Sequence, residues 1–211
     1  MRVSRTSRTI VACVAVATAL SVSVAGCGGK PASSTSKSGA SSPATNTGNL
    51  APTSSAATKP TDYSGLLIQA TDIEAPPDFA FTGSPPTNNP NGQPGVATTF
   101  STQDGSHAIK DTIQVLADPA AATNALNAAK GNQGNAIKDP KTLPFDVGTG
   151  GTTVSGNSPD NSKSVLILMF TEGRAFVTLE FDGPPYALPP PDFVTGVGQK
   201  QVAAVKKGLG G

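Results

Sequence analysis

Cysteine and histidine are almost absent: the 211 residues include two cysteines, Cys13 and Cys27, and one histidine, His107. A single imidazole excludes metal sites built on several histidines, and a histidine-dependent catalytic triad would have to use His107. Long apolar runs are missing too. The uncharged stretch 10–25 has at most 16 residues, Ser and Thr included, against the ~20 that a helix needs to cross a bilayer. Basic excess is the third absence: 15 Lys and Arg stand against 14 Asp and Glu. Removing Arg2, Arg5 and Arg8 leaves 12 against 14, and removing Lys30, Lys37 and Lys59 as well leaves 9 against 14, a net of −5 from residue 62 onward. Neutralising a phosphate backbone takes clustered Lys and Arg, so no nucleic-acid partner is expected.

What is present begins at the N-terminus. Arg2, Arg5 and Arg8 precede the uncharged stretch, the layout of a secretory signal peptide over residues 1–26. The alternative is an ordinary soluble signal with a chance cysteine. Val24-Ala25-Gly26-Cys27 resembles the bacterial lipobox at all four positions. The resemblance implies diacylglyceryl transfer to the Cys27 sulfur, cleavage between Gly26 and Cys27, and a further acyl chain on the new amino terminus. Two or three chains at ~0.8 kcal/mol per buried methylene hold a protein firmly to a membrane. The expected address is the cell membrane, lipid-anchored on the extracytoplasmic face. Cys13 leaves with the signal and Cys27 carries lipid, so the exported domain has no thiol for a disulfide or a thiolate metal site.

Residues 27–61 are expected to form the lipidated cysteine and a disordered Ser/Thr/Ala/Pro tether, too poor in large apolar residues to offset chain entropy. Its coil span is roughly 30–35 Å. Ser34-Thr35-Ser36-Lys37 fits a Ser-x-x-Lys pattern but lies in low-complexity sequence with no pocket around it.

Residues 62–211 are enough for one domain. A short helix is expected over 63–70, with Leu66, Leu67 and Ile68, followed by a proline-rich loop over 75–95 in which Phe79-Ala80-Phe81 adds a short strand. Alternation then predicts a hairpin of strands 96–102 and 107–116 around a two-residue type I′ turn at Asp104-Gly105, with Phe100 opposite Ile109 and Val96 opposite Ile113. Lys110, Thr112 and Gln114 face the other way. Asp118-Pro119 predicts an N-capped helix to Lys130, stopping at Gly131 and burying Ala122, Ala125, Leu126 and Ala129. Strands are expected at 152–155, 164–171 and 174–182, with a polar loop over 156–162. A turn at Glu172-Gly173 would place Leu168 opposite Val177 and Leu166 opposite Leu179. Pro189-Pro190-Pro191 leads to a final helix capped by Asp192, with Val194, Val202, Val205 and Leu209 on one stripe. Lys206 and Lys207 suit the negative pole of its dipole.

The predicted fold class is α+β: an antiparallel sheet made of a hairpin and a three-strand meander, with two main helices packed mainly on one face. The two blocks of strands followed by a helix form a loose pseudo-repeat. Together with the lipobox, the tether and the cysteine-free domain, this order resembles the small envelope lipoproteins of mycobacteria and related actinobacteria. The LpqN/LpqT family, with its PsbP-like fold, is the nearest in layout and the PknH-type extracellular sensor domain the second. The missing cysteines depart from the disulfide-bonded sensor type. The resemblance implies a non-enzymatic role in envelope binding, adaptation or sensing, and transfers no functional residue beyond Cys27.

No enzyme class is supported by the residues. His107 is expected beside the hairpin turn, opposite Thr102. Gly148-Thr149-Gly150-Gly151 resembles half a phosphate loop but precedes a strand, and reads as a flexible connection. Glu180 and Asp182 are expected on opposite faces of one strand, too close together to flank a glycosidic bond. The apolar ligand face suggested by the pattern is Val165, Ile167, Met169 and Phe176, with Thr178, Glu180 and Arg174 as polar contacts. Either an N-terminal arm over 63–96 covers it or it lines a pocket. The function read from all this is a lipid-anchored extracytoplasmic binding, adaptor or sensor-like domain, with a carrier of a lipid or other hydrophobic molecule as the alternative. Its partners would be the membrane, through the anchor, and an envelope protein or hydrophobic ligand. No cofactor is expected.

Overall fold

Period-two alternation of apolar residues builds one antiparallel sheet in the computed structural model, which describes residues 62–133 and 137–210. The signal peptide, Cys27 and the tether lie outside the described residues. The strands are β1 (Phe81–Gly83), β2 (Thr87–Asn88), β3 (Gly95–Thr102), β4 (Ala108–Val115), β5 (Lys138–Pro144), β6 (Thr149–Asn157), β7 (Ser164–Glu172) and β8 (Ala175–Gly183). They are ordered β1-β3-β4-β8-β7-β6-β5, and β2 pairs with β3. With helices α1 (Pro119–Gly131) and α2 (Pro191–Leu209) they form an α+β domain. Among the described residues no helix is long and apolar enough to cross a membrane.

The β3–β4 hairpin has the expected register, Phe100 opposite Ile109 and Val96 opposite Ile113. Its turn differs. Gly105 has φ +68° while Asp104 stays out of the left-handed region, so this is not a type I′ turn, which needs positive φ at both central positions. The Gly105 amide donates to the Thr102 carbonyl at 2.9 Å, and the Asp104 carboxylate ties the loop by accepting from the Thr102 hydroxyl at 2.7 Å and the Ser106 amide at 3.0 Å. In the β7–β8 hairpin the register is shifted by two: Leu168 faces Leu179 and Leu166 faces Phe181. Glu172 pairs with Ala175, which makes Gly173-Arg174 the turn, and Gly173 (φ +54°) supplies the positive φ at its first position. A shift of two leaves every side chain on its own face.

The two faces are covered by different helices, which corrects the expectation of helices mainly on one face. α1 packs Leu126, Ala125 and Ala129 over Val165, Ile167, Met169, Phe176 and Val154. α2 packs Val194, Val197 and Val205 on the opposite face, with Ile109, Ile113, Leu168, Phe170, Val177 and Leu179. Gly198 permits that approach: a Cβ there would come 2.9 Å from both Leu168 and Val147. Asp118 caps α1 as expected, accepting from the Ala121 amide at 2.7 Å. α2 begins a residue earlier than its expected cap. Pro191, with φ preset for the first helical position, starts the helix, Pro190 takes the cap position, and Asp192 sits in the first turn without a capping bond.

The N-terminal arm, residues 62–94, is not helical over 63–70. It forms 3-10 turns at Ser64–Leu66 and Ala70–Asp72, with extended backbone at Leu67 and Gln69 between them. Leu66, Leu67 and Ile68 are consecutive and all buried, which a one-sided helical stripe cannot achieve. Gln201 of α2, itself fully buried, replaces the helical hydrogen bonds by donating to the Leu66 carbonyl at 2.7 Å and accepting from the Ile68 amide at 3.2 Å. The Phe79-Ala80-Phe81 segment splits into a 3-10 turn at Pro77–Phe79 and β1. β5 was not anticipated. Its sequence, with Pro140, Pro144, Lys138 and Lys141, is fully exposed along its length, as suits an edge strand that resists further pairing.

Candidate functional site

The face proposed from the sequence is core. Val165, Ile167, Met169 and Phe176 are all buried under α1, not under the arm, which lies on the other face. Thr178 and Glu180, beyond the edge of α1, are half-buried. Arg174 turns away, its guanidinium donating to the Leu116 carbonyl. Glu180 and Asp182 share one face, as residues two apart on a strand must, and Lys110 bridges them at 2.6 and 3.1 Å while Lys163 holds Asp182 at 2.5 Å. Burial opposes the charge on Lys110, but its bonds to the two carboxylates outweigh this and raise its pKa.

Gly148 to Gly151 is not a flexible connection. Thr149, Gly150 and Gly151 open β6 with a bulge, and Gly148 (φ +62°) lies where a Cβ would run into the Phe170 ring. No helix N-terminus follows it.

A different site lies at the end of the sheet near the β3–β4 loop, on the α2 face. Here a cleft of about 560 Å³ opens between the arm, the sheet and the N-terminus of α2. Ile109 of β4 and Phe181 of β8, paired in register, belong to the sheet wall. Phe79 and Phe81 come from the arm, Phe193 from α2, and Leu188, Pro189 and Pro190 from the segment that leads into α2. The rings form two groups: Phe81 stacks on Phe193 at 6.3 Å between centroids and Phe193 meets Phe181 edge-on at 6.1 Å, while Phe79 meets His107 edge-on at 5.1 Å. Phe79 and Leu188 remain 42% and 46% exposed, so the opening is apolar where a surface would ordinarily be polar.

His107 lies opposite Thr102, as expected. It belongs to the cleft wall, and its Nδ1 is 2.8 Å from the Ser106 hydroxyl. At the rim stand the carboxylates of Asp72, Glu74 and Asp192 and the ammonium of Lys200, which pairs with Glu74 at 3.3 Å, while Asp182 lines the cleft with its carboxylate turned to the other face of the sheet. Among the described residues no group of three or more His, Cys, Asp or Glu is placed to hold a metal ion.

A smaller, polar hollow adjoins the cleft between two loops of the same construction. In Thr102-Gln103-Asp104-Gly105-Ser106 and Ser158-Pro159-Asp160-Asn161-Ser162 the central aspartate accepts from the first hydroxyl and from the amide and hydroxyl of the last serine. These bonds, the first hydroxyl foremost, bring both carboxyls down to about 2. The shared pattern of Ser or Thr, any residue, Asp, Gly or Asn, Ser gives substance to the pseudo-repeat.

The sequence pattern does not reveal the cleft because its aromatics come from three separate elements, the arm, β8 and α2. The available signal was Phe79 and Phe193 beside proline runs, one in a short turn of the arm and one in the first turn of α2, where a large ring has to find a partner or stay exposed. No protein family and no curated protein matches the chain. Among solved structures, a GTP-binding regulator from Thermotoga maritima matches at 14% identity and a TM-score of 0.37, over 64% of this chain and 85% of that one.

Proposed function

We propose that this protein is a lipid-anchored, extracytoplasmic, non-enzymatic binding domain, acting as an adaptor or sensor of the cell envelope, and that its binding site is the aromatic cleft between the arm and α2. One observation carries the reading: about 560 Å³ of cleft walled by four phenylalanines and three prolines, with Phe79 and Leu188 left at its mouth. That volume lies in the range of small-ligand sites, and a mostly apolar wall with a few polar groups at the edge is their usual make-up. The anchor rests on the lipobox resemblance at Val24-Ala25-Gly26-Cys27, and the likeness to the LpqN/LpqT type of envelope lipoprotein agrees with a binding role. The carrier reading is served by the same cleft.

The test is binding of the neutral apolar fluorophore N-phenyl-1-naphthylamine. Phe79→Ser removes a half-exposed ring without opening the core, and should weaken binding about five- to tenfold, the equivalent of the buried ring area it removes. Unchanged affinity in that variant would exclude the cleft. Cys27→Ser should move the protein out of the detergent phase. A variant still processed and detergent-soluble would remove the anchor from the proposal.

A further inference from the structure

The charges around the cleft are not balanced, and their accounting says what kind of molecule it suits. Lys200 is engaged by Glu74 at 3.3 Å. Asp182 projects to the opposite face of the sheet, where Lys110 and Lys163 hold it. Two carboxylates remain: among the described residues neither Asp72 nor Asp192 forms an ion pair. They come from different elements of the lining, Asp72 in the arm's second 3-10 turn, where it accepts from the Gln69 amide at 2.8 Å, and Asp192 in the first turn of α2. The N-terminus of α2 would by itself favour an anion, but Asp192 already supplies one there. The rim therefore holds more negative than positive charge, on a domain that carries 14 acidic and 9 basic residues. Phe79, exposed at the mouth, presents an aromatic surface of the kind that attracts a cation.

We propose that the cleft selects an amphiphile with a positively charged head, its apolar chain lying against Phe79, Phe81, Phe181 and Phe193 and its head held at the rim between Asp72 and Asp192. This rests on the cleft being the binding site. A carboxylate or phosphate head would meet two uncompensated carboxylates, so fatty acids and anionic lipids are disfavoured. A neutral chain of the same length binds through the aromatic wall alone.

The experiment compares octyltrimethylammonium, octanol and octanoate, all below micelle formation, as competitors for N-phenyl-1-naphthylamine on the mature protein purified with Cys27→Ser, so that no attached lipid competes. The expected order is cation, then alcohol, then anion, with roughly a tenfold gap between cation and anion at low salt for two surface charges in a high dielectric. The gap should narrow in 0.5 M salt. It should also narrow in the Asp72→Asn/Asp192→Asn double variant, with octanoate competing better there than on the protein that keeps both aspartates. Equal competition by the three, or preference for octanoate, overturns the charge selectivity and leaves the cleft standing as a binding site. Failure of all three to displace the fluorophore overturns both. A concentration-dependent dimer that the amphiphiles dissociate would assign the cleft to a second copy of the chain and likewise overturn the proposal.

Discussion

Asp111 gives the sharpest test of the packing described above. It lies on β4 between Ile109 and Ile113, on the face that α2 and the arm cover, with Thr98 and Leu179 as its cross-strand neighbours. It is fully buried, and neither carboxylate oxygen has a hydrogen-bond partner; Thr98 instead donates to the Ser84 carbonyl at 2.8 Å. Burial alone pushes its pKa up to about 8. The folded protein therefore holds a proton at Asp111 that the unfolded chain, near 3.9, releases. Because the folded pKa is the raised one, the proton's contribution is complete below about pH 4 and is lost as pH climbs to about 8. Stability should fall by roughly 1.4 kcal/mol per pH unit between about pH 5 and 7, and by on the order of 5 kcal/mol over the whole interval.

The perturbations are Asp111→Asn, which removes the titration, and Asp111→Val, which also removes the unpaired polar group and suits a strand between two isoleucines. Urea denaturation at pH 5, 6, 7 and 8 gives the difference between wild type and each variant, which cancels other titrating groups. That difference should grow in the variant's favour by about 1.4 kcal/mol per unit up to pH 7, and Asp111→Val should be the more stable protein at pH 7 by about 3 kcal/mol or more, since the unmet hydrogen bonds of the acid disappear as well. A difference that stays flat with pH, or a valine variant less stable at pH 7, would refute the reasoning.

Two further substitutions probe the two faces. Gln201→Leu leaves the Leu66 carbonyl and the Ile68 amide without the partners they have now, and should cost about 2 kcal/mol and speed hydrogen exchange at the Ile68 amide; unchanged protection there would mean that the arm is held by packing alone. Met169→Lys puts an ammonium where the side chain is fully buried under α1 and should destabilise the domain by at least about 4 kcal/mol in thermal unfolding. A folded, near-native Met169→Lys protein would restore that face as a ligand surface.

Local signals were legible in the sequence wherever one residue type decides the outcome. Asp118-Pro119 starts α1 because the side chain reaches the Ala121 amide and proline needs no amide partner at the first turn. The β3–β4 register follows from apolar alternation whatever turn closes it, so it holds although the turn is not type I′. What was not legible depends on distant partners. The hydrogen bonds that unwind 63–70 come from Gln201, more than 130 residues away. Period-two reasoning separates the faces of β7 but cannot say which helix covers which face. β5 carries no apolar face at all, since edge position and not burial makes it a strand. The cleft is hardest to see because it is made of aromatics brought together from the arm, β8 and α2.

The location of the cleft follows from the width of the apolar surface beneath it. On the α1 face the apolar patch is narrow, running from Val154 on β6 to Phe176 on β8, while β4 offers Lys110, Thr112 and Gln114 there, all half-buried. One helix of small residues closes such a patch. On the α2 face apolar residues extend from Val96 and Phe100 on β3 across β4 and β8 to Leu168 and Phe170 on β7. Four strands at about 4.8 Å spacing are wider than a single helix of about 10 Å can cover. The arm must supply the remainder, and it does so where Leu66, Leu67 and Ile68 are fixed to α2 by Gln201. Further along, it has only the turn Pro77–Phe79 and the three residues of β1 to set against Phe193 and the α2 N-terminus. Coverage there is incomplete, and a domain selected only for stability would gain by filling the gap with one more apolar side chain. Phe79 and Leu188 stay partly exposed there, with Asp72 and Asp192 also in the lining, so the cleft to which we assign binding is the part of the α2 face that the short end of the arm leaves uncovered.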